Sequence, residues 1–310
     1  MKLNPLIKRY GVIDLGTNSF HLLIVETDLE GSFKEIFQKE IFVRLAQNGI
    51  QTIGSKPYQH GLEVIQSYHQ ILQQYKVQQI RAVGTSALRT ASNGLHFINE
   101  VKTKTGIDIE LISGDKEAQL IYKGVQQTLD FLDEKILIMD IGGGSVEFII
   151  ANVDKLLWVH SFPIGAAVLY RKFHLHEPIH QNDLKQLTSH LDQHLNPLFK
   201  ALEKYPVQQL VGAAGTFEVI KSFLKEAPLN PNYCKIPIDQ FNSFYQLFLN
   251  KNLAERLAVK KLNTARATSI VVALFLVHFV LQKTKIQHLS SSAYSMKEGL
   301  ILEMLSNTEG

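Results

Sequence analysis

The sequence predicts an α/β fold of two similar domains. Three observations carry that expectation. The chain has 310 residues, more than one typical core accommodates. An apolar strand, an Asp, a glycine-containing tip and a second apolar strand occur twice, around Asp14 and around Asp140, about 126 residues apart. Segments with helical spacing of apolar residues follow both units, the alternation expected of α/β domains.

The elements follow in chain order. Val12–Asp14 and Phe20–Val25 flank Gly16-Thr17-Asn18 and read as a hairpin. Gly61–Tyr75 has helical spacing at Leu62, Ile65, Tyr68, Ile71 and Leu72. Ile80–Val83 reads as a strand before Gly84-Thr85-Ser86, and Ile107–Ile112 as a strand before Ser113-Gly114. Glu117–Val125 then forms a helix, with Asp115 as the expected N-cap. The second unit is Ile136–Met139, Asp140, the tip Gly142-Gly143-Gly144-Ser145 and the return strand Val146–Ile150. Pro178–Lys204 and Ile238–Leu257 are expected to be helical. Leu210–Thr216 is a third glycine-rich turn, between a strand and a helix from Phe217. Ile270–Leu281 is apolar but shorter than a membrane span, so it reads as a core helix. The last helix is expected over about 295–306. The expected division is 1–130 and 131–310, at the Asp-rich joint 130–135, with the last helix free to pack back on the first domain.

Composition narrows the function classes. At 45% hydrophobic and 20% charged residues, disorder is not expected. The net charge of +3 is too small to argue for nucleic acid. Charge is uneven, however: Lys251 to Lys297 holds eight Lys/Arg and one acid, Glu255. That run is either a solvated face or a wall that attracts a polyanion. A lone cysteine, Cys234, allows no intrachain disulfide and fits a reducing cytoplasm. Met1–Tyr10 has no apolar stretch of the signal-peptide kind.

Chemistry is expected at the glycine tips. Glycine lets the backbone approach a phosphate closely, and consecutive N–H groups form an anion nest. Gly142, Gly143, Gly144 and Ser145 are the strongest such site. Asp140, ending the strand before them, stands where a carboxylate can hold Mg2+, which prefers few carboxylates plus water and phosphate oxygens. Asp14 with Gly16, Thr17, Asn18 and Ser19 offers a second cradle, and Gly212, Gly215 and Thr216 a third.

Ile13-Asp14-Leu15-Gly16-Thr17-Asn18-Ser19-Phe20-His21, Gly84-Thr85-Ser86-Ala87-Leu88-Arg89, Ser113-Gly114 with Glu117-Ala118, and Asp140–Glu147 continue in order through Gly165, Gly212–Thr216 and Lys297-Glu298-Gly299. Over nearly its whole length the chain resembles the exopolyphosphatase and guanosine pentaphosphate phosphohydrolase family. The resemblance implies two actin-like (ribonuclease H-like) domains with an interdomain cleft. It implies that Glu117 is the catalytic glutamate that orients or deprotonates the attacking water, and that Arg89 is a basic phosphate contact. It implies Asp140 and Glu147 as carboxylates of the metal and water shell, joined by Asp14. Gly142 and Ser145 match phosphate and metal contacts, and Asn18 and Ser19 donors to the phosphate chain. The expected cofactor is Mg2+ or Mn2+. The expected substrate is polyphosphate or guanosine pentaphosphate. No nucleic-acid or membrane partner is expected, and a homodimer is allowed.

Three positions depart from the family pattern. Lys116 stands where an acid is often found, Gln119 where an Arg is, and Lys297 replaces the Arg of a near-terminal R-E-G. Lost Arg forks weaken bidentate phosphate contacts, so substrate choice is touched more than reaction type. Rival activities are a small-molecule kinase of the same superfamily, a non-catalytic alarmone sensor and a filament-forming ATPase. His174, His176 and His180 follow no zinc spacing and are expected as solvated loop histidines. Trp158 is expected in the core.

Overall fold

The computed structural model describes residues 8–28, 32–129, 134–224 and 230–306. Residues 130–133 of the expected joint lie outside the described residues. The chain divides into two compact units, Met1–Leu120 with Met296–Gly310, and Ile121–Ser295.

The first unit opens with β1 (Lys8–Leu15), β2 (Ser19–Thr27) and β3 (Phe33–Phe42), an antiparallel meander. It continues through α1 (Ser55–Gln74), β4 (Gln79–Gly84), α2 (Ser86–Thr90), α3 (Gly94–Thr105) and β5 (Ile109–Leu111). The sheet order is β3-β2-β1-β4-β5, with β4 and β5 joining in parallel after helical crossovers. β1 and β2 are nearly continuous apolar runs because the sheet is covered. Ile13, Leu15, Phe20, Leu22 and Ile24 pack with Leu62, Ile65, Tyr68 and Phe97 of the helices.

α4 (Gly114–Gln126) follows. Its cap is Ser113 rather than Asp115: the Ser113 hydroxyl accepts from the Lys116 amide at 3.2 Å, and its carbonyl accepts the Glu117 amide at 2.9 Å. Gly114 is already helical, which moves Asp115 into the first turn, where an acid still complements the helix dipole.

The second unit repeats the plan. It contains β6 (Ile136–Ile141), β7 (Val146–Ala151), β8 (Leu156–Phe162), α5 (Ala166–Phe173), α6 (Gln181–His194), α7 (Asn196–Lys204), β9 (Gln209–Ala213) and α8 (Gly215–Ser222). Then come β10 (Tyr233–Ile236), α9 (Ile238–Leu249), α10 (Leu253–Leu257), α11 (Thr264–Thr284) and β11 (His288–Ser292). The order β8-β7-β6-β9-β11 reproduces β3-β2-β1-β4-β5, and β10 adds an antiparallel edge. The duplication inferred from two Asp–glycine tips is thus a duplication of whole sheets.

Two expected long helices are broken. Pro178–Lys204 splits at Leu195, where Pro197 suits the first turn of α7 but not a helix interior. Ile238–Leu257 splits before Asn252, which accepts from the Glu255 amide at 3.0 Å while Glu255 returns a bond to the Asn252 amide at 2.7 Å. α11 is longer than its apolar stretch suggested. Its Arg266–Thr284 segment has mean hydropathy 1.6 over 19 residues, enough by length for a membrane span. Two thirds of it, 67%, is buried within the unit, so it serves as the core helix that β-sheet and α9 side chains pack around. Trp158 lies half-buried against the same core.

α12 (Met296–Ser306) belongs to the first unit. Glu303 ties it down, accepting from Arg81 of β4 and from Lys116 of α4, each at 2.6 Å. Gly299 lets it lie on the backbone of α4: a Cβ there would stand 1.9 Å from the Leu120 carbonyl oxygen. Gly299→Ala is expected to cost roughly 1–3 kcal/mol or more, read as a lowered urea midpoint, because backbone rather than a flexible side chain must yield. A midpoint equal to that of the parent protein would refute this account of the glycine.

A second expectation concerns acid stability. Burial, then His194 and Lys172, pulls His190 down to about 4. Burial lowers His174 and His278 as well. Unfolded, these rings protonate below about pH 6.5, whereas folded they resist, so the stability they contribute is full above that pH and is lost as pH falls toward 4. The urea midpoint should drop between about pH 7 and about pH 5, and His190→Gln should flatten part of that slope.

Candidate functional site

In the second unit the antiparallel register places Asp140 of β6 directly opposite Glu147 of β7, and Glu147 opposite Ser161 of β8. Directly opposed residues share one face of a sheet, so the two carboxylates are neighbours. Both are buried, Asp140 at 7% exposure and Glu147 at 1%. Each takes one short hydroxyl bond: Ser295 donates to Asp140 Oδ2 at 2.6 Å, and Ser161 donates to Glu147 Oε1 at 2.6 Å. Like charges directly opposed on a sheet destabilise it, and burial raises that cost. A hard divalent cation removes the conflict. The donor set fits Mg2+, which takes one or two carboxylates and completes its shell with water and phosphate. Among the described residues no group of three or more His, Cys, Asp or Glu forms a fuller metal cage.

The tip Gly142–Ser145 joins these strands. The carbonyls of Gly142, Gly143 and Gly144 accept from the amides of Ala166, Ala167 and Gly165, at 2.9, 3.0 and 3.2 Å. These amides stand at the start of α5, so its orphan donors are satisfied by the tip. Peptides are planar and trans, so the N–H groups of Gly143, Gly144 and Ser145 are turned to the opposite side. N–H groups on that side are the donors an anion nest would use. Gly165 makes the approach feasible: a Cβ there would lie 2.4 Å from the Gly143 carbonyl atoms.

The third turn is used differently. Gly212 lies in β9 with the Phe217 ring against it, 2.0 Å from where a Cβ would be. Gly215 begins α8, and its carbonyl accepts from Arg266. Thr216 is half-buried in the first turn of α8, after Ala214 at φ +62°.

In the first unit, Asp14 sits near the end of β1, paired across the strands with His21 of β2. Gly16 donates to the Ser19 carbonyl at 3.0 Å, closing the tip. The Asn18 carbonyl accepts from the amides of Val43 and Arg44 at 3.0 and 2.8 Å, fixing the tip against the chain after β3. Thr17 Oγ1 is buried without a hydrogen-bond partner, and Ser19 Oγ stands 3.0 Å from His21 Nε2. Glu117, in the first turn of α4, is buried to 9% exposure and lies 3.9 Å from Arg89. Arg89 also donates to the Ile112 carbonyl at 2.5 Å, so its guanidinium is aimed by the loop leading into α4. The structure thus groups Glu117 with Arg89, and Asp140 with Glu147 and the glycine tip.

Other expectations change. Of the basic run, Arg256 is fully buried and holds Glu177 through two bonds of 2.8 Å. Lys283 pairs with Asp192 at 2.6 Å, Arg266 with Glu218 at 3.5 Å, and Lys297 with Glu298 at 2.9 Å. Half of the eight cations are therefore neutralised locally, and the run is no continuous cationic wall. His174 is not a solvated loop histidine: its ring is fully buried, 3.4 Å from Glu177 and edge-on to Tyr170. His176 bonds Asp183 and stacks on His180 at 4.1 Å. Lys116 owes its place to Glu303, so this departure serves the docking of α12. Ser161 and Ser295 had no motif to mark them; only strand register and tertiary packing bring them to the carboxylates.

A family model, the Ppx/GppA phosphatase family, matches residues 23–308. The chain belongs to that family. A guanosine-5'-triphosphate,3'-diphosphate pyrophosphatase of Photobacterium profundum is 26% identical over 99% of this chain, which spans 61% of that relative's length. The crystal structure of an exopolyphosphatase from Cytophaga hutchinsonii is 35% identical, with TM-score 0.93, covering 97% of this chain and 98% of that one. A Ppx/GppA family member from Aquifex aeolicus has the same fold, with TM-score 0.81 at 22% identity over 98% and 99% of the two chains. The two-domain α/β class expected from the motifs stands. In family terms the near-terminal Lys297-Glu298-Gly299 has a packing purpose, since Gly299 seats α12 on α4.

Gly165→Ala is expected to disturb the tip and lower phosphate release by at least about tenfold, because the added methyl meets tip backbone. Unchanged kcat/KM in this variant would show that the tip's conformation does not matter to turnover.

Proposed function

We propose that this chain is a phosphohydrolase that releases terminal orthophosphate from inorganic polyphosphate. The observation that carries the reading is the opposed pair Asp140 and Glu147 beside a glycine tip whose amides face away from α5. Asp140 and Glu147 would hold Mg2+ or Mn2+. When bound, that ion neutralises phosphate charge and orients the leaving group. The amides of Gly143, Gly144 and Ser145 hold equatorial oxygens of the terminal phosphoryl group. Gly16, Thr17, Asn18 and Ser19 supply further contacts to the phosphate chain, whereas Gly212 and Gly215 are taken up by Phe217 and Arg266. Glu117 places a water in line and accepts its proton, while Arg89 beside it takes up developing charge. Phosphoryl transfer needs mostly positioning and charge stabilisation, which these groups supply without a covalent intermediate.

Polyphosphate is favoured by the 35% identity to an exopolyphosphatase across 97% of the chain. The basic run no longer adds to that argument, because half of its cations are paired. Guanosine pentaphosphate is the second reading, favoured by the pyrophosphatase relative at 26% identity. A cytoplasmic location accords with the buried free thiol of Cys234.

The test is phosphate release from long polyphosphate, guanosine pentaphosphate, ATP and pyrophosphate, with and without EDTA. Polyphosphate should give the highest kcat/KM, and EDTA should abolish the rate. Glu117→Gln should keep the fold and lower kcat by roughly 10²–10⁴. A rate indifferent to EDTA, or a Glu117→Gln variant near normal, defeats the mechanism. Preference for guanosine pentaphosphate replaces the substrate and leaves the mechanism intact.

A further inference from the structure

Ser161 and Ser295 lie far apart in the second unit's sequence, yet each reaches one member of the carboxylate pair. Ser161 lies on β8 in register with Glu147. Ser295 follows β11. Both bonds are 2.6 Å, at the short end of hydroxyl hydrogen bonds. Ser295 is itself buried, at 8% exposure. The bonds fall on Glu147 Oε1 and Asp140 Oδ2, one oxygen of each carboxylate. Two consequences follow. Each carboxylate loses its free rotation about the terminal bond, so its other oxygen has a fixed direction. Each hydroxyl dipole also offsets part of the repulsion between two anions opposed across β6 and β7.

We infer that Ser295 and Ser161 are positioning residues that aim Asp140 and Glu147 at one divalent cation. The inference rests on the metal role proposed above for those carboxylates. Outer-shell hydrogen bonds of this kind commonly change metal affinity by roughly 10–100-fold. Neither serine touches substrate; each acts through the acid it holds.

The test is a titration of the metal-free full chain with Mn2+, following the electron paramagnetic resonance signal of free ion. Ser295→Ala and Ser161→Ala should each raise the Mn2+ dissociation constant by roughly 10–100-fold. Ser295→Cys, nearly the same shape with a weak donor, should lie between Ala and the parent, and it serves in place of Ala if that variant fails to fold. Ser295→Thr, which keeps the hydroxyl, should recover most of the affinity. Ser290→Ala is the control: Ser290 is more deeply buried, at 1% exposure, but bonds Gln209 and the Leu210 carbonyl. It should leave the constant within about twofold even if stability falls. If the Ser295 and Ser161 variants bind Mn2+ like the parent while Asp140→Asn binds weakly, the serines position nothing and the metal site survives. If Asp140→Asn also binds like the parent, the metal role itself fails, and this inference with it.

Discussion

The antiparallel pairing of β6 with β7 is the constraint on which the site depends. It sets Asp140 directly against Glu147 in a buried part of the sheet, where two carboxylates would otherwise repel. A fold driven only by core packing would place apolar side chains there, as it does at Ile138 and Ile149 in the same ladder. Two acids in register are a local loss of stability that large surrounding burial tolerates. Local frustration of this kind concentrates at functional sites.

The glycine tip gives the same hairpin its proposed phosphate cradle. Its carbonyls are occupied by the first amides of α5, which fixes the orientation of every peptide in the turn. The tip's conformation is therefore held by a helix that begins well after it in the chain, not by the glycines, which only permit it. The corresponding tip in the first unit is held by other means: Gly16 closes on Ser19, and the Asn18 carbonyl takes two amides after β3. The two duplicated halves share sheet order and turn chemistry but differ in what stabilises the turn.

Charge is organised for cohesion within each unit more than for attraction of a polyanion. Arg256 is fully buried and linked to Glu177 and to the Ala267 and Lys251 carbonyls, so α10 is bound to the segment before α6. Glu303 collects Arg81 and Lys116 and thereby secures the last helix. Lys116, a departure from the family pattern when read along the chain, is a satisfied ion-pair partner when seen in the fold.

The fold was largely legible in the sequence because each signal was local. Strand, Asp, glycine tip and return strand lie within a short stretch of chain, and apolar periodicity marks α1 and a continuous apolar run marks α11 without tertiary information. Element ends were less legible. Ser113 rather than Asp115 caps α4, and two long helical stretches break, since competing caps differ by only about 1 kcal/mol. By itself, then, the sequence determined the class of fold, the duplication and the candidate residues for phosphate and metal. Only the tertiary structure decided which of them meet, that Ser161 and Ser295 reach the acids, that His174 is buried, and that the basic run is half neutralised. The physical reason is that such facts depend on register and on contacts between residues as far apart as Asp140 and Ser295, and no periodicity along the chain encodes those distances.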